Sequence, residues 1–228
     1  MGFFTSNDQE NDDEAIATFH FPTSKKALII FARNPELGKC KTRLAKTIGD
    51  ENALEIYKML LQHTAKIAEK VKADQFVYYS EHIHKNDTWD DTNFRKKLQQ
   101  GNDLGERMKH AFSDLFQNNY QKVIIIGSDI LDLNAEIIED AFSQLEYHDT
   151  VIGPAKDGGY YLLGMKTLHA NLFENKSWGT ETVLQDSLKN LENKSVYLLE
   201  ELNDIDTFED IKDYPQFKKF ITHHDKIH

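Results

Sequence analysis

The sequence predicts an α/β protein of three layers, in which helices cover both faces of a mostly parallel central sheet. Short apolar runs of strand length recur along the chain, and amphipathic stretches with helical spacing separate them. This alternation is typical of parallel sheets, because a helix usually forms the crossover between two parallel strands. With 228 residues, 39% of them hydrophobic, the chain is long enough to bury one substantial core.

Six apolar runs bounded by polar residues predict the strands. They cover residues 27–32, 75–80, 122–126, 150–153, 160–165 and 196–199. Ligands of parallel α/β sheets bind beyond the carboxyl ends of the strands, so we expect the functional residues to follow these runs.

Three amphipathic stretches predict the longer helices, at residues 51–71, 104–116 and 135–145. Each follows a residue type that commonly caps a helix, namely Asp50, Asp103 and Asn134. A shorter helix is expected after Thr207, because Thr207 and Asp210 have the spacing of a capping box.

Composition divides the chain into three segments. Residues 1–24 contain five acids and no Lys or Arg, and we interpret them as a mobile acidic arm. Residues 25–215 contain no internal repeat, low-complexity segment or linker, which predicts a single domain. Residues 216–228 are mostly polar and are expected to form a C-terminal tail.

Charge and composition exclude several classes of function. A net charge of −11 disfavours nucleic-acid binding, which depends on neutralising phosphates with Lys and Arg. No apolar run approaches the roughly 18 residues needed to cross a bilayer. Without a secretory signal and with only Cys40, the chain is expected in the cytoplasm. One Cys and ten His without an H-E-x-x-H pair also make zinc chemistry improbable.

A basic segment follows the first predicted strand. Residues 33–46 contain five Lys or Arg and a single acid, Glu36. Pro35 and Gly38 suit a turn that approaches an anion, which favours a phosphate-binding loop. The pair Gly38-Lys39 is not a Walker A motif, because the required earlier Gly and the following Ser or Thr are missing. A solvated basic loop is the alternative interpretation.

Acidic residues follow the strand predicted at 122–126. Asp129 stands just beyond its end and is the first candidate ligand for Mg²⁺ or Mn²⁺, since a carboxylate buried there needs a cation or donors. Asp132 precedes a predicted helix and fits a capping or turn residue better. Late in the chain, Asp204 or Asp206 could complete the metal site, although a solvated acidic turn explains them equally well.

The motif Asp157-Gly158-Gly159-Tyr160 joins two predicted strands. Adjacent glycines allow a ligand to approach the backbone closely, and they also form ordinary tight turns. On spacing alone, a β-hairpin is the better interpretation.

Together these segments resemble the DUF2064 family, also described as rSAM/selenodomain-associated transferase 1 or arsenosugar-biosynthesis glycosyltransferase. The matching pieces lie at residues 31–45, 100–108, 126–129, 153–164, 178–180 and 204–206. This family belongs to the nucleotide-diphospho-sugar transferase superfamily, so the resemblance implies a GT-A-like, nucleotide-binding domain over residues 25–215. The chain departs from the family at Ile130-Leu131, where Cys or Thr and then Pro usually precede Asp-Leu.

The resemblance also implies roles for individual residues. Asp129 and Asp157 are the catalytic candidates, and Asp129 with Asp206 is expected to hold a divalent metal, Mg²⁺ or Mn²⁺. The residues expected to bind the nucleotide and its phosphates are Arg33, Gly38, Lys39, Lys41, Arg43, Gly101 and Asp103. Those expected to line the substrate pocket are Gly158, Gly159, Tyr160, Trp178 and Thr180.

The function implied first is metal-dependent transfer of a sugar from a nucleotide-sugar to a small acceptor. The basic segment resembles, more faintly, the triphosphate loop of guanylyltransferases, so transfer of a nucleotidyl group to a phosphorylated small molecule is the main alternative. A nucleotide-binding protein without turnover is the third hypothesis, because fold alone does not imply activity.

Overall fold

The computed structural model of the chain describes residues 22–221. Seven strands form one sheet: β1 (Lys26–Ala32), β2 (Asp74–Tyr79), β3 (Phe94–Leu98), β4 (Lys122–Ile126), β5 (Thr150–Pro154), β6 (Tyr160–Met165) and β7 (Val196–Leu198). Seven α-helices are described: α1 (Thr42–Ile48), α2 (Asp50–Ala68), α3 (Leu104–Gln117), α4 (Ala135–Gln144), α5 (Val183–Asn190), α6 (Phe208–Ile211) and α7 (Lys218–Ile221). Short 3₁₀ turns occupy Ala170–Phe173 and Pro215–Phe217.

The strand order is β3-β2-β1-β4-β6-β5-β7. Strands β1 to β4 run parallel to one another, β6 is antiparallel to both β4 and β5, and β7 is parallel to β5. The chain reverses its direction of winding between β1 and β4, and crevices at such points bind ligands in doubly wound folds. The predicted α/β class with a mostly parallel sheet is confirmed.

Alternate residues of β1 face opposite sides of the sheet and pack into two separate cores. Leu28 and Ile30 join the apolar faces of α2 and α4, whereas Ala27 and Ile29 join the face of α3. All four are fully buried. Complete burial of one Leu or Ile side chain stabilises the fold by about 1.5–3 kcal/mol, so both helical layers hold the sheet firmly.

The elements with strong local signals were predicted within a few residues. The side chains of Asp103 and Asn134 accept hydrogen bonds from the backbone at the starts of α3 and α4, as expected of N-caps. Asp50 is the first residue of α2 rather than its cap, and Gly49 takes the capping position. The predicted capping box of Thr207 and Asp210 is present at α6.

Several elements were not predicted, among them β3, α1, α5 and α7. Strand β3 has only one buried residue, Phe94, and its polar interior hides the strand pattern. Helix α1 lies inside the predicted basic loop and buries Leu44 and Ile48. Helix α5 is short, with Val183 and Ser187 buried. Within residues 22–221, no helix has both the length and the apolar composition needed to cross a bilayer.

The packed part of the chain continues beyond the predicted boundary at residue 216. Phe217 and Phe220 are buried against α1 and α2, so apolar contacts hold the chain in place at least to Ile221. Most of the predicted N-terminal arm, residues 1–21, lies outside the described residues.

Candidate functional site

Polar segments that follow β1, β4 and β5 meet at the carboxyl edge of the sheet. Residues 202–206 hold them together: Ala155 and Leu202 form a β-bridge, and Ile130 and Asp204 form a second. The amide of Ile205 donates to the carbonyl of Asp129 at 3.0 Å. Backbone hydrogen bonds therefore bring the late acidic segment beside Asp129, as the sequence-based hypothesis of a shared site requires.

Lys41 lies between two of these aspartates. Its Nζ donates to Oδ2 of Asp129 at 3.0 Å and lies 4.0 Å from Oδ1 of Asp206. The Lys41 side chain is only 7% exposed, whereas the Asp129 side chain is 37% exposed. Nη1 of Arg43 donates to Oδ2 of Asp206 at 2.9 Å from the solvent side. Two of the predicted phosphate-binding residues, Lys41 and Arg43, thus share a cluster with the predicted metal ligands Asp129 and Asp206.

Asp204 adds a third carboxyl group to this cluster. Burial, followed by the negative charges of Asp129 and Asp157, raises the pKa of Asp204 to about 6. The ammonium of Lys41 has the opposite effect but does not cancel the repulsion. Four aspartates therefore lie at this edge near Lys41 and Arg43, and the raised pKa of Asp204 indicates that negative charge prevails around it, which favours further positive charge.

A buried tyrosine connects the loops after β1 and β4. The hydroxyl of Tyr57 in α2 accepts from the amide of Arg33 at 2.8 Å and donates to the carbonyl of the same residue at 3.2 Å. It also lies 3.3 Å from the hydroxyl of Ser128, next to Asp129. Burial raises the pKa of Tyr57, so the hydroxyl keeps its proton. This role of Tyr57 was not predicted from the sequence, although a tyrosine on an apolar helix face needs a buried hydrogen-bond partner.

Asn34 fixes the beginning of the basic segment. Its side chain is 3% exposed, accepts from the amides of Glu81 and His82, and donates to the carbonyl of His82 at 2.7 Å. The thiol of buried Cys40 donates to the carbonyl of Asn34. Residues 34–40 are therefore an ordered loop, and Gly38 has a φ of 74° within it, as a glycine turn allows.

Acids, most of them from other segments, neutralise much of the predicted positive charge. Lys39 pairs with Glu36 at 2.6 Å and with Glu81 at 3.4 Å, while Lys41 and Arg43 pair with the aspartates. Arg33 has no ion-pair partner within the described part of the chain. The local excess of positive charge inferred from residues 33–46 is thus much reduced in the folded protein, because its counter-charges come from distant residues.

The predicted hairpin after β5 is present, and it places Asp157 at its tip. The amide of Gly158 donates to the carbonyl of Ala155, and that of Gly159 donates to Oδ1 of Asp157 at 2.8 Å. Gly158 has a φ of 87°, and a Cβ there would lie 2.2 Å from the carbonyl oxygen of Glu181. The loop that precedes α5 therefore packs directly on this turn.

Trp178 lies in the same loop and contacts the start of α3. A Cβ at Gly105 would lie 2.6 Å from Nε1 of Trp178, so this helix start accepts the indole only because residue 105 is Gly. Thr180 donates from its hydroxyl to the carbonyl of Ser177 at 2.8 Å, which fixes the loop. The loop thus joins the Asp157 turn to the segment around Asp103.

The glycine at position 101 lies in the loop between β3 and α3. Gly101 has a φ of 140°, and its carbonyl accepts from Nε of Arg107 at 3.1 Å. Gln99, two residues earlier, donates to the carbonyls of Ala32 and Tyr78 at the ends of β1 and β2. Gly101 and the capping residue Asp103 therefore lie at the same edge of the sheet as Arg33.

Tyr160 packs against the core, whereas the resemblance implied that it lines the substrate pocket. Its ring packs on the core beneath α3, and its hydroxyl is buried. A ligand at the carboxyl edge could contact this hydroxyl only after a rearrangement. Tyr160 and Leu163 pack in one core, whereas Tyr161 and Leu162 pack in the other, so the alternation of a regular strand is broken at the start of β6, where its register with β5 also shifts.

A cavity of about 430 Å³ lies beside the aspartate cluster. Its lining includes Asp132, Lys156 and Asn203. Asp132 accepts a hydrogen bond from the hydroxyl of Tyr214 at 2.7 Å, and the cap of α4 is Asn134 instead. Asp132 therefore does not cap that helix, and its hydrogen bond joins the loop after β4 to the C-terminal region.

The residues present suit a divalent metal by their chemistry, since Mg²⁺ and Mn²⁺ prefer carboxylate oxygens. The surplus of acid around Asp204 is the observation that supports this fit. Within residues 22–221, one compact set of potential ligands lies elsewhere, at Glu36, Glu81 and His82, with ligand atoms within 4.8 Å of one another. Lys39 already pairs with both of those glutamates.

Comparisons with known proteins agree with this architecture. The model of the family described as "Uncharacterized protein conserved in bacteria (DUF2064)" matches residues 63–180. A crystal structure from Desulfovibrio desulfuricans G20, provisionally named a nucleotide-diphospho-sugar transferase, is 29% identical with a TM-score of 0.80. The match covers 89% of this chain and 96% of that one. None of the curated proteins matches the chain in sequence.

More distant structures share the fold alone. A 4-diphosphocytidyl-2C-methyl-D-erythritol synthase from Anaerococcus prevotii is 12% identical, with a TM-score of 0.53 and coverage of 86% of this chain and 96% of that one. A cytidylyltransferase from Leptospira borgpetersenii is 15% identical, with a TM-score of 0.52 and coverage of 91% and 95%. The fold is therefore that of nucleotide-diphospho-sugar transferases and cytidylyltransferases.

Proposed function

Because the chain belongs to the DUF2064 family, we propose that it is a metal-dependent glycosyltransferase that moves a sugar from a nucleotide-sugar to a small acceptor. The observation that carries this proposal is the cluster at the carboxyl edge, where Asp129, Asp204 and Asp206 surround Lys41. A site for a nucleotide diphosphate needs positive side chains for the phosphates and carboxylates for the metal, and this cluster contains both.

Asp129, with Asp204 or Asp206, would hold the metal in this proposal. The bound Mg²⁺ or Mn²⁺ would supply a positive charge that offsets the charge developing on the leaving diphosphate. Lys41 and Arg43, which now pair with Asp129 and Asp206, would donate hydrogen bonds to the phosphate oxygens. Arg33, which has no ion-pair partner within residues 22–221, is free to approach the nucleotide at the end of β1.

Asp157 would act on the acceptor. Its Oδ1 is engaged by the amide of Gly159, which orients the carboxylate and leaves Oδ2 for a substrate hydroxyl. When that hydroxyl oxygen bonds to the anomeric carbon, the bond from this carbon to the diphosphate breaks, and Asp157 would accept the hydroxyl proton. The neighbouring loop with Trp178 and Thr180 would form a wall of the sugar pocket, together with Gly158 and Gly159.

Nucleotidyl transfer is the second candidate. The number of cationic side chains in residues 33–46 favours it, since Arg33, Lys39, Lys41 and Arg43 together suit a triphosphate slightly better than a diphosphate. In that reaction an acceptor phosphate would attack the α-phosphorus of a nucleoside triphosphate and release pyrophosphate. The same metal and basic residues would serve both reactions, and the acceptor would differ.

Calorimetry with a panel of nucleoside diphosphates, triphosphates and nucleotide-sugars, each with and without Mn²⁺, tests the proposal. Metal-dependent binding that is tightest for a nucleotide-sugar, followed by release of the nucleoside diphosphate in the presence of acceptors, is the expected result. Preference for a triphosphate, with release of pyrophosphate, would instead support nucleotidyl transfer over sugar transfer. Binding without turnover across an acceptor panel would favour a nucleotide-binding protein, and no binding at all would refute all three.

A further inference from the structure

We propose that Lys41 occupies the metal position of Asp129 and Asp206 in the free protein and leaves it when a divalent cation and a phosphate ligand bind together. The inference rests on the proposed function, because it assigns a regulatory role within the same site. It makes Lys41 an internal substitute for the metal as well as a phosphate ligand.

The position of Nζ is the first argument. Nζ of Lys41 lies 3.0 Å from Oδ2 of Asp129 and 4.0 Å from Oδ1 of Asp206, so it lies between the two carboxylates. These are the residues whose oxygens would coordinate the ion. Among the described residues, Lys41 is the only side-chain cation in an ion pair with Asp129.

Burial is the second argument. The Lys41 side chain is 7% exposed, and a lysine so enclosed needs its carboxylate partners. Lys39 and Arg43 differ, with side chains that are 57% and 67% exposed. The structure therefore places this one cation of the basic segment inside the acidic cluster, while its neighbours lie at the surface.

Competition follows from charge and size. Mg²⁺ coordinates carboxylate oxygens at about 2.0–2.1 Å, so an ion bound to Oδ2 of Asp129 would compete with Nζ, which lies 3.0 Å from the same oxygen. Two positive charges so close together also repel each other. The ion and the ammonium therefore cannot both hold these oxygens.

The backbone of Lys41 stays in place during such an exchange. Its carbonyl accepts from the amide of Ala45 at 2.8 Å at the start of α1, and its φ of 49° is in the left-handed region. The flexible four-carbon side chain can move by itself, and its ammonium donates up to three hydrogen bonds. Phosphate oxygens near the displaced ammonium would receive them.

Binding of metal and phosphate is then coupled. The cation alone must displace Lys41 without compensation, and the phosphate alone must draw Lys41 away from two carboxylates. When both bind, the ion replaces the ammonium at the carboxylates, and the phosphate replaces the carboxylates as the partner of Lys41. By linkage, pyrophosphate should raise the affinity for Mn²⁺ by the same factor as Mn²⁺ raises the affinity for pyrophosphate.

Binding of Mn²⁺ measured by electron paramagnetic resonance, with and without inorganic pyrophosphate, tests this exchange in the wild type and in Lys41→Met. Without pyrophosphate, K41M should bind Mn²⁺ about tenfold more tightly than the wild type, because its two aspartates have lost their ammonium. Its affinity for pyrophosphate should fall, and the coupling factor should be smaller than in the wild type, because only the direct attraction between the ion and the phosphate remains. K46M, which removes an exposed cation of the same helix, is the matched control and should resemble the wild type in both measurements.

Equal or weaker Mn²⁺ binding by K41M, with an unchanged melting profile, would overturn the exchange. If K41M does not fold, Lys41→Gly replaces it, since glycine accepts the left-handed backbone at this position. If the wild type binds neither Mn²⁺ nor pyrophosphate, the proposed function fails instead. If the wild type binds both but K41M gains no affinity for the ion, only the exchange fails.

Discussion

Two enclosed aspartates at opposite edges of the sheet have contrasting surroundings. Asp74 begins β2 at the amino edge and is 5% exposed, with hydrogen-bond donors directed at it from Thr23 and from the hydroxyl of Tyr120. Arg95 lies 3.6 Å away. Burial alone would raise the pKa of Asp74, but these donors outweigh it and keep the pKa below the usual value.

Asp204 lies beyond the carboxyl edge, and its nearest charged neighbours include two other acids. Burial and the charges of Asp129 and Asp157 raise the pKa of Asp204 to about 6. The contrast teaches that burial does not by itself mark a functional carboxylate. A carboxylate surrounded by donors stabilises the fold, whereas one surrounded by acids is destabilised in its charged form, as expected of the metal site that we propose.

The largest expected effect is that of Asp129→Ala. Loss of this carboxylate should abolish metal-dependent nucleotide binding and lower turnover on the order of 10²-fold or more. The reason is that the proposed metal ligand is removed and Lys41 loses its closest partner. Calorimetry with Mn²⁺ and the preferred nucleotide, followed by steady-state kinetics, measures both effects.

Asp129→Asn is the matched variant, since it keeps the shape and removes the charge. It should lose nearly as much activity as Asp129→Ala while melting close to the wild type. Unchanged turnover in either variant would exclude Asp129 from the site.

Asp74→Ala tests the conclusion that Asp74 stabilises the fold and does not bind the ligand. It should reduce the free energy of unfolding by roughly 2–3 kcal/mol, because Tyr120 and Thr23 would lose a buried acceptor. Such a loss corresponds to a melting temperature lower by roughly 5–10 °C in a domain of this size. Nucleotide affinity, measured below the melting range, should not change. A variant that melts like the wild type but binds nucleotide poorly would reverse the roles assigned to the two edges.

Local signals account for the parts of the molecule that could be predicted from the sequence. The caps at Asp103 and Asn134 and the continuous apolar run of β4 act over a few residues, so their pattern is visible in the chain itself. Strand β3 could not be found, because an edge strand whose middle residues are Arg95, Lys96 and Lys97 lacks an apolar pattern.

The site was harder to predict because its partners are distant in sequence. The pair of Lys41 and Asp129 spans 88 residues, and that of Arg43 and Asp206 spans 163. Their positions along the chain suggested a role for each residue separately, but they could not show that the acids neutralise the basic segment. Nor could they show that Tyr57 joins the loops after β1 and β4.

Asp204→Asn should change the stability of the folded protein by a smaller amount, and this change should depend on pH. An ordinary aspartate titrates near 3.8 and Asp204 near 6, so the folded protein binds more protons between these values and loses stability as the pH rises through them. At pH 8 the substitution should therefore stabilise the metal-free protein by on the order of 1 kcal/mol, or about 2–4 °C in melting temperature. At pH 4 this gain should vanish.

Thermal melts in the presence of a chelator at several pH values measure this gain, and the same substitution at exposed Asp140 is the control. An equal gain for Asp204→Asn at pH 4 and pH 8 would show that repulsion between carboxylates is not its source. Added Mg²⁺ should stabilise the wild type more than the variant, because the ion relieves the same repulsion.

Arg43→Ala should have the smallest effect on stability and a modest effect on binding. Its guanidinium is 67% exposed and pairs with Asp206, and exposed pairs of this kind contribute only about 0–1 kcal/mol to folding. Loss of one donor to a phosphate should nevertheless weaken nucleotide affinity by roughly 10-fold, since hydrogen bonds to charged groups contribute about 1.5–3 kcal/mol. Calorimetry and melting curves on the same preparation separate the two quantities. If nucleotide affinity and stability fell in parallel, Arg43 would be a structural residue like Asp74. Lys41 would then be the last residue of the basic segment that binds the nucleotide directly.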